Sequence, residues 1–118
     1  MVDIPLGFLL SSYIIPLPML IRIVRMTFQP ENCAAFEEVF EQSKYKIRSF
    51  PGCQYLELWK DYDQDNVYLT HSHWESDEAL EQYRHSELFR ETWAKTKPLF
   101  AAKPLAFSSR LEQKVSPD

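Results

Sequence analysis

Apolar and β-branched side chains alternate from Leu20 to Phe28, the period-two pattern of a strand, with Arg22 and Arg25 interrupting it on opposite faces. The period then lengthens. Phe36, Val39, Phe40, Ser43 and Ile47 recur at steps of three and four, one helical stripe flanked by Glu37, Glu38, Glu41, Lys44 and Lys46. Gln29-Pro30-Glu31 opens that helix, with proline at its first position and an acid in its first turn. Phe50-Pro51-Gly52 stops it. Cys53 to Lys60 and Val67 to Trp74 return to strand patterns, joined by the short polar turn Asp61 to Asn66, which implies a hairpin. The second of these strands carries Val67, Leu69, His71 and His73 on one face and Tyr68, Thr70, Ser72 and Trp74 on the other. Ser76 caps a short helix with Ala79, Leu80 and Tyr83 inward, and Ser86 caps another with Leu88, Phe89, Trp93 and Thr96 inward. Leu105 to Leu111 forms the last strand.

Strand, helix, strand, hairpin, helix, strand is the split βαβ arrangement, βαββαβ, an α+β fold with one four-stranded antiparallel sheet. Helices on one face leave the other face bare. The strand phases place Ile21, Ile23, Leu56 and Leu58 there, together with His71 and His73. Each Å² of apolar surface left wet forgoes about 25 cal/mol. Pairing with a second copy is the simplest cover, so a homodimer is expected.

Composition narrows the partners. The 118 residues suit one domain, and 45 % hydrophobic with 14 % aromatic content marks a chain that packs a core. A net charge of -4 and an isoelectric point near 5.4 argue against nucleic acid, which calls for a basic stripe. Cys33 and Cys53 lack metal-ligand spacing and are expected as free thiols of a cytoplasmic protein. Residues 1–18 are apolar but broken by Pro5, Pro16 and Pro18 and carry no basic start, so neither a signal peptide nor a membrane helix is expected. They read as a leader preceding a natural start at Met19, or as an apolar arm on a partner subunit. The domain is expected over 19–112, followed by a polar tail at 113–118.

The string HSHWESDEAL, then YRHSELFRETWAKTKPLF, resembles the antibiotic-biosynthesis-monooxygenase family, on Trp74, Glu75, Ser76, Leu80, Ser86 and Phe89. Phe50 to Cys53 is similar to the family's glycine turn into its second strand. The likeness spans about residues 19 to 112 and implies a dimeric α+β barrel of ferredoxin-like protomers, each with a pocket between sheet and helices. One branch of the family degrades haem with a strand-one Asn and a helical His. Those positions hold Val24 and Trp93 here, and an indole cannot ligate iron. Another branch oxygenates polycyclic phenols without a cofactor, the substrate anion itself meeting dioxygen. Its Asn four residues before the tryptophan is Thr70 here, and its Tyr six residues after is Leu80.

The resemblance therefore implies a monooxygenase-like protein acting on a small aromatic or quinone-like compound, with no cofactor and no metal. Trp74 and Tyr83 are expected to wall the pocket, and Tyr68 and Trp93 to line it. Thr70 and His73 would place or deprotonate the substrate, and Arg22 would neutralise its charge. The same aromatic residues also suit the core of a small domain. A non-catalytic dimer that binds a small ligand is the alternative. His71 and His73 share a face as a metal pair would, but only Glu57 stands nearby as a third ligand.

Overall fold

The protein is described by a computed structural model covering residues 19–117. Both readings of the N-terminal segment lie outside the described residues. The elements are β1 (Leu20–Thr27), a 3₁₀ turn (Pro30–Asn32) running into α1 (Cys33–Arg48), β2 (Cys53–Lys60), β3 (Val67–Trp74), α2 (Asp77–Arg84), α3 (Glu87–Thr96) and β4 (Leu105–Arg110). The four strands form one antiparallel sheet in the order β2-β3-β1-β4, the ferredoxin-like topology. Residues 111–117 carry no helix or strand.

Local chemistry explains the element boundaries. The Ser76 hydroxyl accepts the Ala79 N–H at 3.0 Å and the Ser86 hydroxyl accepts the Phe89 N–H at 3.1 Å, each filling one orphan donor of a first helical turn. The Asp61 carboxylate accepts the N–H groups of Asp63 and Gln64, closing the β2–β3 hairpin. Gly52 turns the chain from α1 into β2 at φ +90°. A Cβ there would stand 2.4 Å from the Ala79 Cβ, so both backbone angle and space demand glycine.

The helices cover one face of the sheet, and the core beneath them has two centres. Met26, Phe28, Phe36 and Tyr68 are buried at one end, with the Phe28 and Phe36 rings stacked 4.3 Å apart. Cys53, Trp74, Ala79 and Leu80 are buried at the other. Both cysteines are free thiols.

The other face is bare, but its residues differ in part from the expectation. Ile21 and Ile23 lie there, opposite His73 and His71. Leu56 and Leu58 do not. They pair with Ser72 and Thr70 and face the helices. A register shift between Cys53 and Tyr55 is the cause. Simple alternation would carry buried Cys53 and Tyr55 to the same side. The irregularity resets the phase, so that Tyr55, Glu57 and Trp59 face outward. The bare face thus holds Tyr55, Trp59, Leu105 and Phe107, 39–59 % exposed.

Candidate functional site

Between the sheet and the helices lies a cavity of about 320 Å³. Its floor is the inner face of the sheet: Arg22, Val24 and Met26 from β1, Leu56 from β2, and Thr70, Ser72 and Trp74 from β3. Its roof is the α1 stripe from Phe36 to Ile47, Leu80 and Tyr83 from α2, and Phe89 and Trp93 from α3. Most of these side chains arrive by simple periodicity, and Leu56 joins them through the phase shift in β2. Alternate strand residues share the floor, and residues three or four apart on a helix share the roof.

One end is an aromatic box. The Trp74 ring is 1 % exposed and stacks on Tyr83 with centroids 4.9 Å apart and planes 25° from parallel. Phe50 and Phe89 meet Tyr83 edge-on at 5.4 and 5.3 Å. Phe89 in turn stacks on Trp93 at 5.8 Å. Such walls bind a flat apolar molecule and leave its orientation to a few polar groups.

Most of those polar groups are already engaged. The Trp74 indole N–H donates to the Ser72 hydroxyl at 3.0 Å. Ser43 and Thr96 donate back to carbonyls of their own helices, Ser43 to Val39 and Thr96 to Thr92. Burial, with Cys53 adding to it, pushes the Tyr83 hydroxyl far above the ordinary tyrosine range, so it offers a proton and does not act as a base. Arg22 is the exception. It donates to Ser108 on the neighbouring strand at 3.0 Å, yet no carboxylate of the described residues lies within ion-pair distance of it. Its guanidinium pKa is lowered, first by burial and then by Arg84, while Glu81 and Asp77 oppose this. Arg84, also lining the cavity, is held by Glu81 at 2.8 Å. Among the described residues, no carboxylate and no imidazole lines the cavity.

Five of the residues expected at the site therefore meet there: Arg22, Thr70, Trp74, Tyr83 and Trp93. Two do not. Tyr68 shares the Trp74 face, but six strand residues, roughly 20 Å, separate them. It pairs with Met26, sits 2 % exposed in the other core centre, and its hydroxyl is held by Glu37. His73 pairs with Ile21 on the bare face, because consecutive strand residues point to opposite sides and Trp74 takes the inner one. Arg84 lines the cavity without having been singled out from the sequence. The signal was its place four residues after Leu80, one helical turn along the same stripe.

The bare face carries its own polar cluster. The Glu57 carboxylate accepts from the Tyr55 hydroxyl, from the Trp59 indole at 2.9 Å, and meets Nδ1 of His71 at 3.1 Å. Nε2 of His71 lies 3.0 Å from Nε2 of His73. With the Tyr55 bond as the largest cause, these donors hold the Glu57 carboxyl down at about 2.

The sequence profile of the family described as antibiotic biosynthesis monooxygenase matches residues 19–95, and the chain belongs to that family. Solved structures agree. A candidate antibiotic biosynthesis monooxygenase of Caulobacter crescentus superposes with a TM-score of 0.76 at 24 % identity, over 81 % of this chain and 92 % of that one. One from Bordetella bronchiseptica gives 0.72 at 25 % identity, over 85 % of this chain and 100 % of that one. A conserved protein of Methanosarcina mazei gives 0.77 at 13 %, over 80 % of this chain and 94 % of that one. At these identities the likeness speaks for the fold. No curated protein matches the sequence.

Proposed function

We propose that this chain oxygenates a small, electron-rich aromatic or quinone-like compound that enters the cavity as its phenolate or enolate anion. The observation that carries this reading is Arg22: a half-buried cation on an apolar, aromatic cavity, with no acidic partner among the described residues. A half-buried cation is only partly hydrated, and an anionic ligand would supply part of the solvation that it lacks. Arg22 would hold the oxyanion and Arg84 would add to the local positive potential. Thr70 would donate one further hydrogen bond, and Trp74 and Tyr83 would stack on the ring. With no carboxylate or imidazole lining the cavity among the described residues, the proton leaves before or as the substrate binds. Arg22 favours that loss by stabilising the anion. The anion then gives electrons to dioxygen and forms a peroxide at a carbon that still bears hydrogen; a proton from solvent makes it the hydroperoxide, which loses water to leave a carbonyl. Atoms and electrons balance without a further reductant.

Oxygen uptake with a panel of hydroquinones and anthrones tests the proposal. Uptake that collapses in Arg22→Gln supports it, and no uptake beyond buffer with any compound overturns it. The lack of a lining base, together with Thr70 and Leu80 in place of the family's amide and phenol, favours a second reading, a dimer that binds an aromatic anion without turning it over. Saturable binding without oxygen uptake would select it.

The homodimer belongs to the same proposal. Tyr55, Trp59, Leu105 and Phe107 expose large apolar side chains on one sheet face, and a second copy would cover them. Among the described residues, no helix is long and apolar enough to cross a membrane.

A further inference from the structure

We propose that His71 and His73 form a chelating site for a divalent transition-metal ion of the nickel and copper type on the bare face of the sheet. The two residues stand two apart on β3, so their rings project from one face. Their Nε2 atoms lie 3.0 Å apart. An ion bonded to two imidazoles at about 2.0–2.1 Å holds their nitrogens about 2.9–3.4 Å apart, from right-angled to tetrahedral geometry. The observed spacing falls at the right-angled end, which square and octahedral ions favour.

The surroundings are built as a metal site requires. A carboxylate only accepts, so Glu57 places the His71 proton on Nδ1 and leaves Nε2 unprotonated. A carboxylate behind a ligating imidazole is the recurrent device that fixes tautomer and ring orientation. Glu57 is itself fixed by Tyr55 and Trp59. The rings are held as well: Tyr55 stacks on His73 with centroids 4.6 Å apart, and Trp59 lies against His71 at 4.7 Å. In the metal-free state His73 donates its Nε2 proton to His71. An ion binds to one side of the line between the two nitrogens, and His73 gives its Nε2 proton to solvent while taking one from solvent at Nδ1, so that it stays neutral. Among the described residues, no three His, Cys, Asp or Glu side chains converge on a common point. Each chain therefore supplies two nitrogens, and water or a second copy on the same face supplies the rest. The site lies across the sheet from the cavity, so it stands or falls apart from the oxygenase reading.

The test is calorimetric titration of Ni²⁺ into the full chain without a polyhistidine tag, about one pH unit above the ordinary histidine range. Saturable binding of one ion per chain, or one per two chains, is expected. Glu57→Gln should weaken it by about tenfold or more, and His71→Gln or His73→Gln by more than that. The double variant His71→Gln/His73→Gln keeps His85 and both cysteines. Native affinity no greater than that variant's overturns the proposal. Paramagnetic broadening by Ni²⁺ in the unaltered chain gives a readout free of folding effects. Loss of amide signals centred on His71 and His73 supports the site, and loss centred on His85 or the cysteines overturns it.

Discussion

The two faces of the sheet are built from the same four strands and differ in almost every other respect. The inner face carries Val24, Met26, Leu56 and Trp74 under three helices, and its few polar groups are mostly bonded within the chain. The outer face carries aromatic and aliphatic side chains in the open, with a histidine–glutamate cluster among them. Adjacent residues fall on opposite sides. Trp74 is 1 % exposed in a cavity wall, while His73 lies across the sheet from it. Burial alone does not mark the functional face. The inner face holds a cation, Arg22, that has no carboxylate of the described residues within ion-pair distance. The outer face holds mutually bonded polar groups beside exposed apolar surface.

Substitutions that treat the two faces alike should have unlike effects. The largest concerns tryptophan. Trp74→Ala should cost about 3–5 kcal/mol in urea unfolding. Trp59→Ala, at 41 % exposure, should cost about 1 kcal/mol or less in dilute solution. Equal losses would mean that the outer face is as tightly packed as the inner one. Next comes assembly. Phe107→Glu removes one apolar side chain from the outer face and adds charge, and should weaken self-association by about 2–3 kcal/mol per chain. Sedimentation velocity across a dilution series reads this, with Leu56→Ala as the inner-face control that leaves association unchanged.

The arginines on β1 give the third comparison. Arg22→Gln should weaken binding of an aromatic anion by about 1.5–3 kcal/mol. Arg25→Gln, on the outer face opposite Leu69 and Leu105, should leave it unchanged. Fluorescence titration of the cavity tryptophans reads both. The smallest effect is with pH. Burial, then His71, lowers the His73 pKa from 6.5, so the fold favours neutral His73. Its contribution is intact above pH 6.5 and is lost as pH falls below that value toward the lowered pKa. Glu57, held at about 2, contributes above its ordinary 4.5 and loses this only as pH falls through about 2. Denaturation midpoints should therefore decline between about pH 7 and 5 in the native chain and less so in His73→Gln. Arg25, His71, Tyr55 and Glu57 share that face, so ionic strength should modulate the decline.

Much of the fold was legible because its signals are local. Strand alternation, the helical stripe from Phe36 to Ile47, and the caps Ser76 and Ser86 each involve residues within one or two turns. The face carrying Thr70 and Trp74 followed from alternation in β3. The phase of β2 did not follow, because the irregularity after Cys53 shows only in its pairing with β3. Tyr68 shares a face with Trp74, but sharing a face says nothing of distance along it.

The sequence by itself determined the order of elements, the ferredoxin-like class, the family, and the aromatic character of the inner surface, since these rest on periodicity and on motifs contiguous in the chain. Tertiary structure alone decided which charged groups meet. Among the described residues Arg22 meets no carboxylate at ion-pair distance, because β4 offers it a serine and α2 pairs its own Arg84 with Glu81. His71 is oriented by Glu57 because β2 lies beside β3 in the register that follows the shift at Cys53. Both are contacts between strands or between sheet and helix, and electrostatics depends on distances in space that no spacing along the chain encodes.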